Sequence, residues 1–206
     1  MGMEMAFKTF QDKILKLSTE NRDKFINNFK KEAVSWGTLK GHSNIISSTV
    51  KVFNERPFIC MESIMPNKKG QINLKDYLKD DLDEKIILIW AIQFCNAMVY
   101  ANSKGILVHG DIKPSNLLID DGILKIADFG SVQLTEDNPF YDFVEKWKYN
   151  PVDTVVYRAP EIFNNPNALN FATDIYSFGL VLYQMLNKGK LPFYPDSNDT
   201  WESLHK

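Results

Sequence analysis

The chain has 206 residues, enough for one large domain or two small lobes, with the 44% hydrophobic and 24% charged residues of an ordinary globular protein. Twenty-four basic against 26 acidic residues leave a net charge of −2, so composition argues for neither nucleic acid nor a membrane surface as partner. Cys60 and Cys95 both lie in apolar runs without metal-ligand spacing, which reads as two core residues in a reducing, cytoplasmic compartment.

Met5 to Phe10 alternates apolar and polar residues and predicts a strand carrying Lys8. A helix follows, capped by Ser18 or Thr19. Phe25, Phe29, Glu32 and Trp36 recur at spacings of four, three and four, which puts them on one face. Glu32 is then a carboxylate in an apolar stripe and needs a cation, for which Lys8 is the candidate. Thr49–Phe53 and Pro57–Met61 predict two more strands, which complete a small antiparallel sheet with the Lys8 strand. The polar stretch Pro66–Gln71 reads as the best linker in the chain. A short helix near Leu74–Lys79 and a long one from Asp83 to about Ser103 come next. Within the long helix Ile86–Ile92 is apolar nearly all round, which predicts a core helix. The apolar run ends by Cys95, too short for a membrane span.

His109-Gly110-Asp111-Ile112-Lys113-Pro114-Ser115-Asn116 is a short polar loop between apolar runs at 105–108 and 117–119. Its carboxylate, cation and amide (Asp111, Lys113, Asn116) can accept a proton, hold a phosphate oxygen and coordinate a metal. Farther along, Asp128-Phe129-Gly130 ends another strand-like run, Leu124–Ala127. Either loop alone would pass for an ordinary polar turn.

Together the two loops resemble the catalytic and metal-binding loops of the eukaryotic-type protein kinases. Tyr157-Arg158-Ala159-Pro160-Glu161 resembles the end of the kinase activation segment, and Asp174–Gly179 the start of the long central helix of the large lobe. The resemblance implies an α+β, protein-kinase-like two-lobe fold. Residues 1–65 would form a small β-rich lobe with helix C and the hinge, and 66–206 a mainly helical lobe. It also implies transfer of the γ-phosphate of ATP, with Mg²⁺, to Ser or Thr hydroxyls of a protein substrate. Asp111 would be the base or substrate-orienting residue, Lys113 would reach the transferring phosphate, and Asn116 and Asp128 would hold the metal. Lys8, paired with Glu32, would hold the other phosphates. Ala6 and Leu118 would sandwich adenine, and the main chain of a hinge from Glu62 through Ile64 to Pro66 would bind its edge. Met61 would limit the pocket behind it, and His109 and Phe129 would pack inside the lobe. Lys113 and Thr154 match the Ser/Thr-specific pattern.

The chain departs from the family at three places. Gly110 stands where most members have Arg, which implies that phosphorylation of Thr135, Tyr141, Tyr149 or Thr154 does not activate through that Arg. No Gly-rich phosphate loop precedes Lys8. The family's last helices, with the Arg that pairs with Glu161, do not follow Leu204. These departures imply a fragment truncated at both ends, an unpaired buried Glu161, and a partner chain over an uncovered large lobe. They also raise an alternative, a pseudokinase or scaffold with little turnover.

Overall fold

A computed structural model describes residues 4–9, 18, 26, 29, 33, 36–53, 56–129, 133–134, 155–165, 168–196 and 199–205. Three strands, β1 (Met5–Lys8), β2 (Ser48–Phe53) and β3 (Arg56–Glu62), form an antiparallel sheet in the order β1-β3-β2. The register sets Ala6 opposite Met61 and Lys8 opposite Ile59, so these four residues share one face. On the described residues of the following helix, Phe29, Ala33 and Trp36 form a buried stripe at helical spacing. Phe25, Thr19 and Glu32 lie outside the described residues, and with Glu32 the expected pair to Lys8.

The helix is tied to the large lobe through its exit. Trp36 Nε1 donates to the Ile46 carbonyl (2.7 Å). The Ile46 amide donates to the Ile126 carbonyl, and the Ile126 amide to that of Asn44, both at 2.9 Å. The Asn44 side chain adds a bond to the Leu124 carbonyl (2.9 Å). The strand before Asp128 is thereby laced to the turn that ends the helix.

Pro66–Gln71, the expected linker, is a loop braced by its own side chains. The Asn67 side-chain oxygen accepts from the amides of Lys69 and Gln71, and its nitrogen donates to Gln71 Oε1. Local Asn bonds of this kind rigidify a turn that composition alone marks as soft.

Asn73 caps α1 (Leu74–Tyr77) in a reciprocal box with Asp76. Asp83 caps α2 (Glu84–Ser103) by accepting from the Lys85 amide. The expectation that α2 is buried all round is corrected. Ile87, Trp90, Phe94, Ala97, Met98 and Ala101 form one buried stripe, while Leu88, Ile89, Ile92 and Val99 on the other side are at least half exposed. A single helix packed on one side can bury only one face, however apolar the rest. By length and composition alone this 20-residue helix is also long and apolar enough to cross a membrane, which counting only to Cys95 missed. Cys95 is exposed, whereas Cys60 is buried. It follows buried Phe94 by one position, a turn of about 100° that carries it off the stripe.

β4 (Ile106–Val108) pairs with β7 (Gln133–Leu134). β5 (Leu117–Asp120) pairs with β6 (Ile123–Ile126) across the two-residue turn Asp121-Gly122, both with positive φ. Asp-Gly is the pair such a turn selects, since both positions need left-handed backbone. Three helices complete the described chain: α3 (Pro160–Asn164), α4 (Phe171–Leu186) and α5 (Trp201–His205). Asn170 caps α4 in a box with Thr173. Phe178 of α4 stacks on Phe94 of α2, with ring centroids 3.7 Å apart. Glu161 is not the unpaired buried charge expected from its motif. It is only partly buried, lies in the first turn of α3, and accepts from Thr173 Oγ1 (3.3 Å).

Candidate active site

The polar loop of residues 109–116 is suspended from a buried carboxylate. The backbone N–H groups of His109 and Gly110 donate to Oδ2 and Oδ1 of Asp174, at 2.7 and 2.9 Å. Asp174 is 1% exposed, in the first turn of α4. Burial raises its pKa, against the pull of the His109 ring and the two amides. Gly110 has φ +80°, a conformation in which a side chain is strained.

His109, fully buried, locks this loop to the next one. Its Nε2 meets the Ala127 carbonyl at 3.1 Å, and its Nδ1 accepts from the Asp111 amide at 3.3 Å. A carbonyl can only accept, so the ring carries its proton on Nε2. The Ala127 amide in turn donates to the Asn116 carbonyl (2.9 Å). Phe129 packs edge-on against His109 and also against Trp36, 6.0 Å between centroids. Both expected core residues, His109 and Phe129, are 0% exposed.

Within the loop the three chemical residues converge. Asn116 Nδ2 donates to both the Asp111 carbonyl (2.8 Å) and Asp111 Oδ2 (3.0 Å), and Lys113 Nζ lies 2.8 Å from the same Oδ2. The Asn116 amide nitrogen is thereby used, which leaves its oxygen as the end that can serve a cation. Asp128 sits two residues beyond the end of β6 and directly after Ala127, whose amide bonds Asn116, with φ +65°. For a residue other than glycine that backbone costs about 1–3 kcal/mol, and such strain gathers at functional sites.

Lys8 reaches from the small sheet to Asp128, Nζ to Oδ1 at 2.7 Å, with the two side chains 39% and 42% exposed. Burial acts to raise the Asp128 pKa, but the charge of Lys8, the hydrogen bond it donates and the charge of Lys113 outweigh it and hold the carboxyl below its ordinary value. Such a group stabilises the fold above its unfolded pKa and loses that contribution as pH falls through the lowered folded value. Lys8→Met is expected to move the Asp128 titration up toward the ordinary carboxylate range, read from its side-chain carbon by NMR. An unmoved titration would show that Lys8 is not what keeps Asp128 ionised. An ionised carboxylate and an amide oxygen are both donors that suit a hard divalent cation.

The remaining candidates lie on the small sheet, on the segment that follows it and on β5. Ala6 and Met61 face each other on β1 and β3. Leu118 on β5 is bridged to Asn73, just before α1. Ile64 is buried. The Glu62 side chain is committed elsewhere. It accepts from the Ser47 amide (2.8 Å) and from Lys125 Nζ (2.8 Å), which also meets Asp120 at 3.0 Å. Burial works against the Lys125 charge, yet these two carboxylates more than compensate and raise its pKa. Glu32, Gly130, Thr135, Tyr141, Tyr149 and Thr154 lie outside the described residues. Among the described residues no three His, Cys, Asp or Glu side chains gather into a metal cluster.

A family model described as the protein kinase domain matches residues 2–206. The chain belongs to the protein kinase domain family. It is 32% identical over 197 residues, 90% of its length, to the "Probable serine/threonine-protein kinase PknB" of Lactococcus lactis. It is 29% identical over 194 residues, again 90% of its length, to the serine/threonine-protein kinase PKH2 of Saccharomyces cerevisiae. Over 120 residues, 56% of the chain, it is 38% identical to the 3-phosphoinositide-dependent protein kinase 1 of Arabidopsis thaliana. The aligned parts cover 28%, 17% and 24% of those relatives. In this kinase domain the residue that sequence reading passed over is Asp174, which was noted only as part of a helix motif. Its signal was a carboxylate in the first turn of an otherwise apolar helix, where water cannot solvate it.

Proposed function

We propose that this chain transfers the γ-phosphate of ATP, with Mg²⁺, to Ser or Thr hydroxyls of a protein substrate. The observation that carries the reading is two polar clusters joined through the backbone, where the Ala127 amide donates to the Asn116 carbonyl. Asp111, Lys113 and Asn116 meet at a single carboxylate, and Asp128 is held ionised by Lys8 from the small sheet. In this reading residues 1–65 are the small lobe and 66–206 the large one.

Asp111 accepts the proton of the incoming hydroxyl as its oxygen bonds to the γ-phosphorus and the bond to the β–γ bridging oxygen breaks. Lys113, 2.8 Å from Asp111, offers a cation to the oxygens of the transferring group at that point. Asn116 and Asp128 supply the oxygens that would hold Mg²⁺, which when bound neutralises phosphate charge. Lys8 and the main chain of Glu62–Ile64 hold the nucleotide, with Ala6, Met61 and Leu118 against its base. Ser and Thr are favoured as acceptors by Lys113, two residues beyond Asp111, and by the serine/threonine-protein kinases among the relatives. Incubation with γ-³²P-labelled Mg·ATP and peptides offering Ser, Thr or Tyr tests the reading. Label is expected in the Ser and Thr peptides. Transfer confined to Tyr, or none to any hydroxyl, would overturn it.

A further inference from the structure

Beside the candidate loop a cavity of about 560 Å³ opens between α1, residues 113–115 and the chain just after α4. Its lining includes four lysines, Lys75, Lys79, Lys113 and Lys188, and no Asp or Glu. The uncharged polar groups of the wall offer nothing to balance them. Gln184 is buried and spent, accepting from the Tyr157 hydroxyl (2.9 Å) and donating to the Gly189 carbonyl (3.1 Å). Ser115 is exposed and neutral.

The three lysines outside the loop are held loosely. Lys79 lies 3.7 Å from Asp76 and Lys188 2.9 Å from Asp81, both largely exposed pairs of the kind that contributes little and yields to a competing anion. Lys75 is exposed and makes no ion pair among the described residues. None of Lys8, Met61 or Asp128 lines the cavity, so it is separate from the residues assigned to the nucleotide. It does share Lys113 with the reacting carboxylate, and its wall continues directly from the loop that bears Asp111. A segment of substrate flanking the reacting hydroxyl would therefore lie against the positive charges of Lys75, Lys79 and Lys188, next to Lys113.

We infer that this cavity is a subsite for an anionic side chain, carboxylate or phosphate, on the peptide whose hydroxyl reaches Asp111. The inference rests on the catalytic reading above and names its substrate class, an acidic or already phosphorylated peptide. A flanking Arg would meet like charge and is disfavoured.

The test reads binding without turnover. Fluorescein-labelled peptides identical but for Glu, phosphoserine or Arg beside one Thr are titrated with the 206-residue chain and followed by anisotropy. The Glu and phosphoserine peptides are expected to bind about tenfold more tightly than the Arg peptide, an advantage that falls as salt rises. Whichever of the two binds more tightly identifies the source of the charge. In a Lys75→Glu, Lys79→Glu, Lys188→Glu triple variant, all at exposed positions, the preference should reverse while the circular dichroism spectrum is unchanged. Arg binding as tightly as Glu, selectivity that survives the triple variant, or no binding by any of the peptides would overturn the inference. Charge-selective binding without phosphate transfer would instead overturn the catalytic reading alone.

Discussion

Asp111→Asn is expected to lower the rate of phosphate transfer about 10²–10⁴-fold while leaving the melting temperature nearly unchanged. The size is that of removing a positioned general base. The substitution keeps the shape of the side chain and an oxygen that can accept from Asn116 Nδ2, now 3.0 Å from Asp111 Oδ2. What it removes is the negative charge, and with it the capacity to take up the hydroxyl proton and the ion pair to Lys113 at 2.8 Å. Lys113 also lines the cavity beside the loop, where water can solvate its charge once the pair is lost, so the cost to the fold is small. Nucleotide binding should survive, because Asp128 and Lys8 are untouched. Single-turnover transfer, nucleotide affinity and thermal melting separate these effects. A variant that transfers phosphate within threefold of the parent would show that Asp111 does not take the proton. A large fall in melting temperature would show that its role is structural.

Asp174→Ala is the second large effect, and it falls on stability. The carboxylate accepts from two buried backbone N–H groups, those of His109 and Gly110. Removing it orphans both, and each unsatisfied buried donor costs about 1–3 kcal/mol, so a loss of about 2–6 kcal/mol is expected in urea unfolding. Against a total stability of about 5–15 kcal/mol this is enough to unfold much of the population on mild heating. Transfer should fall as well, since Asp111 follows directly on the two residues released. Asp174→Asn should be milder, because its amide oxygen can still accept one of the two bonds.

The pH dependence carries a definite sign. Burial raises the Asp174 pKa in the fold, so the folded state binds a proton more readily than the unfolded chain. The stability it contributes is fully present below the unfolded carboxylate pKa and is lost as pH rises through the raised folded value. Asp174→Asn should flatten that part of the stability profile. A loss below about 1 kcal/mol in Asp174→Ala would mean that water reaches the two amides and that the loop is not suspended from this residue.

Much of the architecture was legible because local rules produced it. Alternation in Met5–Lys8, the spacing of Phe29 and Trp36, and the apolar runs around 109–116 each depend on a few neighbouring residues. The loop motifs were legible for the same reason. Asp111, Lys113 and Asn116 sit within six residues of one another, so the geometry that joins them at one carboxylate is nearly local.

Long-range partnership was not legible. Lys8 and Asp128 are 120 positions apart, and His109 and Asp174 are 65 apart. Sequence reading could say that a carboxylate in an apolar helix needs a partner, yet it applied the rule to Glu32 and passed over Asp174, where the partners were backbone amides. It also took the apolar composition of α2 for burial. Composition sets how readily a face can be buried, and only the neighbours decide whether it is, as exposed Leu88 and Val99 show against buried Ile87 and Met98. By itself the sequence determined the strands of the small sheet, the long helices and which polar residues stand together in the 109–116 loop, because these depend on side-chain type and short spacing. Tertiary structure alone decided which charges meet, which donors are satisfied, and that four lysines, from α1 and the residues just after it, the loop, and the chain just after α4, line one cavity. Those outcomes depend on how distant segments of one chain pack, and no local pattern records it.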